Sequence, residues 1–271
     1  MARRGAMRAW NAANADKFAL YQQSVQMPEA VEFLDQRFRL LTGRPLRLLR
    51  EDFCGTAFNC CQFVKLNSAN HAIGIDLNES VLQWCLKHNY PDLTESQWKR
   101  ITLIHGSVLT VETPRVDMIF VLNHSYAIFS KRSDLLNYFR MARASLRKHG
   151  VLLVDHLGGP NLFQGCKFVK RFDQFTLVSE WTPLNPINHD LVITLSYTFK
   201  DGSRLPNAFT YHFRIWTLPE LQDLLMEAGF QNVHVLWAFK KENEKGDDLV
   251  FRKTFKATST NLHYALVVGQ A

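Results

Sequence analysis

A doubly wound α/β fold, built on a mostly parallel seven-stranded sheet with an antiparallel β insert late in the chain, is predicted by three observations. Short aliphatic runs alternate with amphipathic, helix-sized segments over residues 46–160. Three stretches of alternating β-type sequence, 168–181, 191–199 and 208–216, then follow one another with no helix between them. A helix and two last strands return after residue 217. Strand and helix in alternation require a parallel sheet covered on both faces, whereas successive strands joined by turn signals such as Asp201-Gly202 pair antiparallel.

Pro28 in a first turn, the apolar set Val31, Leu34, Phe38 and Leu41, and Gly43 just past the end predict an amphipathic helix ahead of the sheet. The run 46–53 reads as the first buried strand, ending at a turn around Gly55, with a helix over 57–67. Runs 71–77, 101–105 and 116–123 are short and aliphatic or β-branched, as strands buried on both faces are. Residues 133–147 place Leu135, Leu136, Phe139, Ala142 and Leu146 on one stripe, with Gly150 as the stop before a strand at 151–155. The character changes at Gly158-Gly159-Pro160, where the insert begins. A helix at 218–228 stopped by Gly229, strands at 233–239 and 262–268, and a polar loop or hairpin tip at 242–248 complete the reading.

With 46% apolar residues in 271, the chain is long enough for a substantial core. No apolar run reaches the roughly 18 to 20 residues that cross a bilayer, and the start lacks the apolar stretch of a secretory signal. A cytoplasmic protein with no membrane partner is expected. Arg3, Arg4 and Arg8 precede the first acid, Asp16, a pattern shared by transit segments and by frayed basic termini. The net charge of +7 attracts anionic partners, nucleic acid among them, but the basic residues are spread along the chain and form no tract. Cys54, Cys60, Cys61, Cys85 and Cys166 make neither a zinc-type pair of CxxC motifs nor a disulfide framework, so reduced cysteines and no metal are expected.

The segment Glu51-Asp52-Phe53-Cys54-Gly55-Thr56-Ala57 and the later Gly74-Ile75-Asp76-Leu77 carry the chemistry. A strand turning sharply into a helix presents free backbone N–H groups, and a small residue there lets a ligand approach the main chain. Asp76 ends the next strand 21 residues after Gly55, where a carboxylate in this topology meets a ribose diol. Taken singly, Gly55 needs only to make a turn and Asp76 only to cap a helix beginning near Asn78; in this order they point to a nucleoside-containing cofactor across the ends of the first two strands. A dinucleotide would ask for GxGxxG, and Phe53 and Phe58 stand at the outer glycine positions, where a bulky residue crowds a pyrophosphate.

These motifs resemble those of class I S-adenosylmethionine-dependent methyltransferases, whose fold is Rossmann-like, and the resemblance runs from about residue 46 to the C-terminus. It implies S-adenosylmethionine as cofactor. Glu51 matches the acid that faces the methionine amino group, Gly55 the central glycine, and Phe53 and Ala57 depart from the usual glycines. Phe53, Cys54 and Thr56 form the loop between them. Asp76 matches the ribose-binding acid, Leu77 packs on the adenine, and Ser107 and Val108 match the motif that contacts the adenine amine, with Ser107 where Asp is frequent. Asn123, His124, Ser125 and Tyr126 follow the fourth strand, where the family has substrate-proximal residues, and the Asn/Asp-Pro-Pro-aromatic tetrapeptide of many base-amino methylases is not there. The chain is expected to divide into a lid and helical segment (1–45), a cofactor-binding half (46–160), a substrate-covering insert (161–216) and a C-terminal helix with the last two strands (217–271).

His124, Tyr126 and His156 lie just past strand ends, where open α/β sheets bind ligands, and are candidate proton acceptors. Tyr21 and Gln22 lie in a segment suited to fold over the cofactor, and Arg214 and Trp216 end the insert as candidates for an acceptor's carboxylate or ring. Phe163, Phe168, Phe172, Phe175 and Trp181 would make an aromatic-lined cover that favours a small-molecule acceptor, and the same rings are equally suited to packing the insert on the sheet. The alternatives are an RNA or other nucleic-acid acceptor and a non-catalytic, cofactor-binding homologue that kept the fold. The oligomeric state is left open.

Overall fold

The computed structural model describes residues 9–27, 29–240, 249–258 and 260–271. Arg3, Arg4, Arg8, Pro28 and the segment 242–248 of the sequence reading lie outside the described residues. Two helices lead in, α1 (Lys17–Val25) and α2 (Ala30–Thr42), the latter closed by Gly43 in the left-handed region. The alternating half follows: β1 (Leu48–Asp52), α3 (Phe58–Leu66), β2 (His71–Asp76), α4 (Glu79–His88), the short α5 (Glu95–Trp98), β3 (Ile101–His105), β4 (Val116–Val121), α6 (Arg132–Ala144) and β5 (Leu146–Gly158). The insert is β6 (Cys166–Arg171), β7 (Phe175–Trp181), β8 (Asp190–Phe199) and β9 (Arg204–Arg214), and the chain closes with α7 (Leu218–Glu227), β10 (Gln231–Lys240), β11 (Leu249–Lys253) and β12 (His263–Gln270).

Among the described residues the main sheet has eight strands, ordered β11-β10-β12-β5-β4-β1-β2-β3. The first five strands pair parallel, while β12 and β11 run antiparallel to their neighbours. This is the predicted doubly wound sheet with one strand more than the seven expected. The addition is β11, an edge strand of the half-polar sequence Leu-Val-Phe-Arg-Lys paired with β10. Two other expectations are corrected. Gly150 does not end the helix before β5: α6 stops at Ala144, and Leu146 already pairs with Val116. The stretch 168–181 is two strands, because the chain reverses at residues 172–174, where the Phe172 N–H donates to Phe175 O (2.8 Å).

The two faces of the sheet carry separate cores. Val31, Leu34 and Phe38 of α2, Phe63 and Val64 of α3 and Leu82 of α4 cover one; Leu135, Tyr138 and Phe139 of α6 and Leu221, Leu224 and Leu225 of α7 cover the other. A third cluster joins the insert to α1 through Leu20, with Phe175, Leu191, Tyr197 and Phe213. Cys54, Cys60, Cys61 and Cys85 are buried free thiols within the first core. The chain steps outward from β1 through β2 to β3 on one side and from β4 to β5 on the other. The loops after β1 and β4 therefore diverge, and the crevice of an α/β sheet opens between them.

Candidate active site

At the end of β1 the backbone turns through three left-handed residues, Phe53 (φ 58°), Gly55 (φ 53°) and Ala57 (φ 49°). For residues other than glycine this conformation costs roughly 1–2 kcal/mol each. Phe53 is held by packing, with its ring 6.1 Å from that of Phe129 and 5.9 Å from that of Tyr138. Tyr138 in turn donates to Asp52 Oδ2 (2.9 Å), and Asp52 is paired with Arg50 (2.6 Å) in a fully buried network beneath the loop. Cys54 turns inward to the core, and Thr56 is buried. At Gly55 the space where a Cβ would stand is open for 4 Å, so a ligand can reach the main chain.

Asp76 closes the other side. Its Oδ2 accepts the Gly55 N–H (2.7 Å) and its Oδ1 the Asn78 N–H (2.8 Å). The cap of α4 is Asn78, whose side chain accepts the Ser80 N–H (3.1 Å). Asp76 is therefore not consumed as a helix cap, and a carboxylate with about four acceptor positions keeps two for a diol. Leu77 beside it is 64% exposed, an apolar side chain without cover at the place expected for the adenine. Ser107 Oγ accepts the Leu109 N–H (3.2 Å) within its own turn, and Val108 packs into the core.

Glu51 lies on the opposite face of β1 from the Arg50–Asp52 pair and is 5% exposed. Burial pushes its carboxyl up to about 8, against hydrogen bonds from Asn59 Nδ2 (2.6 Å) and the Cys60 thiol (3.4 Å). A carboxyl so placed is neutral at neutral pH and ionises when a cation arrives.

Asn123 and His124 follow β4 as two consecutive left-handed residues (φ 57° and 58°). The pairing of β4 with β5 carries the His124 N–H to Asp155 Oδ1 (2.9 Å), and His124 Nδ1 stands 3.3 Å from Oδ2, not aligned as a hydrogen bond. Asp155 was not among the sequence candidates, although an acid closing a predicted strand was the available signal. Tyr126 is sunk in the core with its phenol pushed well up by burial, and His156 is 3% exposed and pulled down to about 3 by burial, with His124 and His263 adding to it.

The N-terminal segment lies over this crevice. Asp16 caps α1 and accepts from Trp84 Nε1; Gln22 and Asn89 exchange hydrogen bonds (3.1 and 3.0 Å), and Asn89 also donates to Thr56 O (2.8 Å). Ser24 Oγ lies 3.2 Å from Tyr197 OH, and Tyr21 packs on Phe209, its phenol pushed up to about 12 by burial. Helix α1 thus ties the loop after β1 to the insert. At the end of the insert Trp216 is a core residue donating to Phe129 O (3.1 Å), and Arg214 stacks on it while binding Ser130 O and Glu220.

Solved structures of methyltransferases superpose on the chain over nearly its full length. The chain superposes on an S-adenosylmethionine-dependent methyltransferase of Clostridium acetobutylicum with a TM-score of 0.67 at 15% identity, over 94% of this chain and 97% of that one. An amino pentose methyltransferase of Micromonospora echinaspora, solved with S-adenosylmethionine bound, gives 0.65 at 14% over 93% and 94%. A sugar N-methyltransferase of Streptoalloteichus gives 0.63 at 15% over 100% and 98%. The chain has the class I methyltransferase fold. No protein-family model and no curated relative matches it. On that methyltransferase fold the loop after β1 and the acid after β2 occupy the crevice at the strand-order reversal, where α/β sheets of this topology hold their ligands.

Proposed function

We propose that the chain is an S-adenosylmethionine-dependent methyltransferase acting on a small-molecule acceptor. The observation that carries this reading is Asp76, fixed by the Gly55 N–H at 2.7 Å with acceptor positions to spare, facing an open backbone at Gly55 and an uncovered Leu77. The residues fit an adenosyl group with an ammonium-bearing tail: diol to Asp76, ring to Leu77, cation to Glu51. When bound, S-adenosylmethionine supplies a methyl carbon made electrophilic by its sulfonium. The chain's own part is to position an acceptor in line with that carbon, exclude water and take the acceptor's proton. His124, whose main-chain N–H is held by Asp155 and whose ring stands 3.3 Å from the same carboxylate, is the group we assign to that proton. The closure of α1 over the crevice favours a small acceptor over a polymer, and the amino pentose and sugar substrates of the two named neighbours agree with this.

The test is calorimetric titration of S-adenosylhomocysteine into the protein and into Asp76→Ala. Losing a charged acceptor pair for the diol costs about 3 kcal/mol, roughly a hundredfold in Kd. Undiminished binding by the variant, or none by the parent, sinks the reading.

A further inference from the structure

Beside the transfer site, between the insert and the β5-β12-β10 side of the sheet, lies a cavity of about 610 Å³. Leu162, Leu184, Ile215, Trp216 and Trp237 make its apolar walls, and Phe163 and Phe255 stand exposed at its rim. Half of its polar lining residues are histidines: His156, His189, His234 and His263, beside Thr217, Gln222, Thr254 and Lys256. His156 and His263 lie with ring centroids 5.7 Å apart, each with a buried Nδ1 that has no hydrogen-bond partner, and His263 stacks on Trp237 at 4.5 Å. Gly158 keeps the two rings together: a Cβ there would come within 2.4 Å of His263 Nε2 and 2.9 Å of His156 Nε2. Lys256 at the exposed rim is the only charged residue among the described lining residues. No metal explains the histidines, since the described residues contain no group of three His, Cys, Asp or Glu placed to hold one.

We infer that this cavity is the acceptor chamber and that it takes an uncharged, hydroxyl-bearing ring system of the phenol type, held by His156 and His263. The inference rests on the methyltransferase reading: His156 follows Asp155, which accepts the His124 N–H at the end of β4, and its ring lies 5.7 Å from that of His263 in the cavity. Burial pulls His156 and His263 down, so each is neutral and offers one donor and one acceptor. A hydroxyl, which also donates and accepts, satisfies both. A carboxylate or phosphate brings a charge that no described buried cation meets, and desolvating it is unfavourable. Apolar walls with a few convergent polar groups, in a volume between 300 and 1,000 Å³, are the features of a site for a ring-bearing small molecule.

The probes are 2-naphthol and 2-naphthoate, followed by quenching of tryptophan fluorescence with and without saturating S-adenosylhomocysteine. Naphthol is expected to bind in both conditions and naphthoate at least tenfold more weakly. His156→Leu should weaken naphthol tenfold while leaving the S-adenosylhomocysteine Kd unchanged, which also shows that the variant is folded. If His156→Leu fails to fold, His263→Leu serves the same comparison. Naphthoate binding as well as naphthol, affinity indifferent to both histidines, or displacement of naphthol by S-adenosylhomocysteine overturns the chamber. Failure of S-adenosylhomocysteine to bind while naphthol behaves as expected instead removes the methyltransferase reading and leaves a phenol-binding cavity.

Discussion

Glu51 makes the ligand-free protein sensitive to pH in a direction opposite to that of most carboxylates. Burial raises its folded pKa from 4.5 to about 8, so the folded state holds this proton more tightly than the unfolded chain. Below pH 4.5 both states are protonated and nothing is lost. As pH rises from 4.5 to 8 the unfolded chain ionises while the folded one does not, and stability falls by about 1.4 kcal/mol per pH unit. Between pH 5 and 7.5 the loss from this one group is about 3 kcal/mol, or about 2 if the folded pKa lies one unit lower. Glu51→Gln keeps the shape and removes the titration, and Asn59 can still pair with its amide oxygen. Urea unfolding of parent and variant at pH 5.0, 6.2 and 7.5 isolates the effect, since all other groups cancel in the difference. The variant should gain on the parent by about 3 kcal/mol across that range; a difference constant to within about 0.5 kcal/mol refutes the account of Glu51. The same carboxyl predicts that binding a ligand ammonium at pH 7 releases close to one proton. Calorimetry of S-adenosylhomocysteine in buffers of different ionisation enthalpy measures it, and zero release contradicts the placing of the cation beside Glu51.

Two further outcomes follow from other parts of the fold. Asp16→Ala removes the cap of α1 and the Trp84 contact, at about 1–2 kcal/mol, so exchange of the 17–25 amides should accelerate about tenfold with little change in the global unfolding midpoint; unaltered exchange means α1 is not held from this end. Asp117 is buried at the start of β4 and accepts from Arg44, Arg147 and two backbone N–H groups, which hold its carboxyl below the usual range even though burial acts the other way. Asp117→Asn should cost about 1–3 kcal/mol in urea at pH 7, and less below pH 4, where the parent's own carboxylate is being lost; equal costs at both pH values contradict the ionic account.

How much of this was readable beforehand depended on whether a residue's role was local. The central strands were legible because burial on both faces writes nearly continuous apolar runs, as in Val116–Val121, where every residue is buried, and the edge strand β3 because Ile101-Thr102-Leu103-Ile104 is aliphatic and β-branched. Strand β11 was not, because its five residues end in the exposed Arg252 and Lys253 and leave too short an apolar run. That Gly55 and Asp76 meet could be read from spacing, since a strand-turn-helix-strand unit sets their separation, and the Gly55 N–H does donate to Asp76 Oδ2. Asp155 was missed because its role comes from sheet order: only when β5 pairs beside β4, with Val121 opposite Val154, does its carboxylate come under the His124 amide. The roles of Trp216 and Arg214 likewise depend on Phe129, Ser130 and Glu220, two of them more than 80 residues away in the chain.

The loop after β1 separates residue identity from backbone requirement. Phe53 and Ala57 stand where the family has glycine, yet both adopt the left-handed backbone that glycine would take without strain. At position 53 the aromatic ring offsets the strain by packing on Phe129 and Tyr138. The usual order of substitutions should then reverse. Phe53→Ala loses the ring and keeps the strained backbone, whereas Phe53→Gly loses the ring and relieves roughly 1–2 kcal/mol of strain, less the entropy of a more flexible unfolded chain. Phe53→Gly should therefore be as stable as Phe53→Ala or more so, by up to about 1 kcal/mol in urea unfolding, and should bind S-adenosylhomocysteine the more tightly of the two. If Phe53→Ala is the more stable by more than about 0.5 kcal/mol, the left-handed turn is not what this position is selected to make, and the space in front of Gly55 owes its shape to the ring itself.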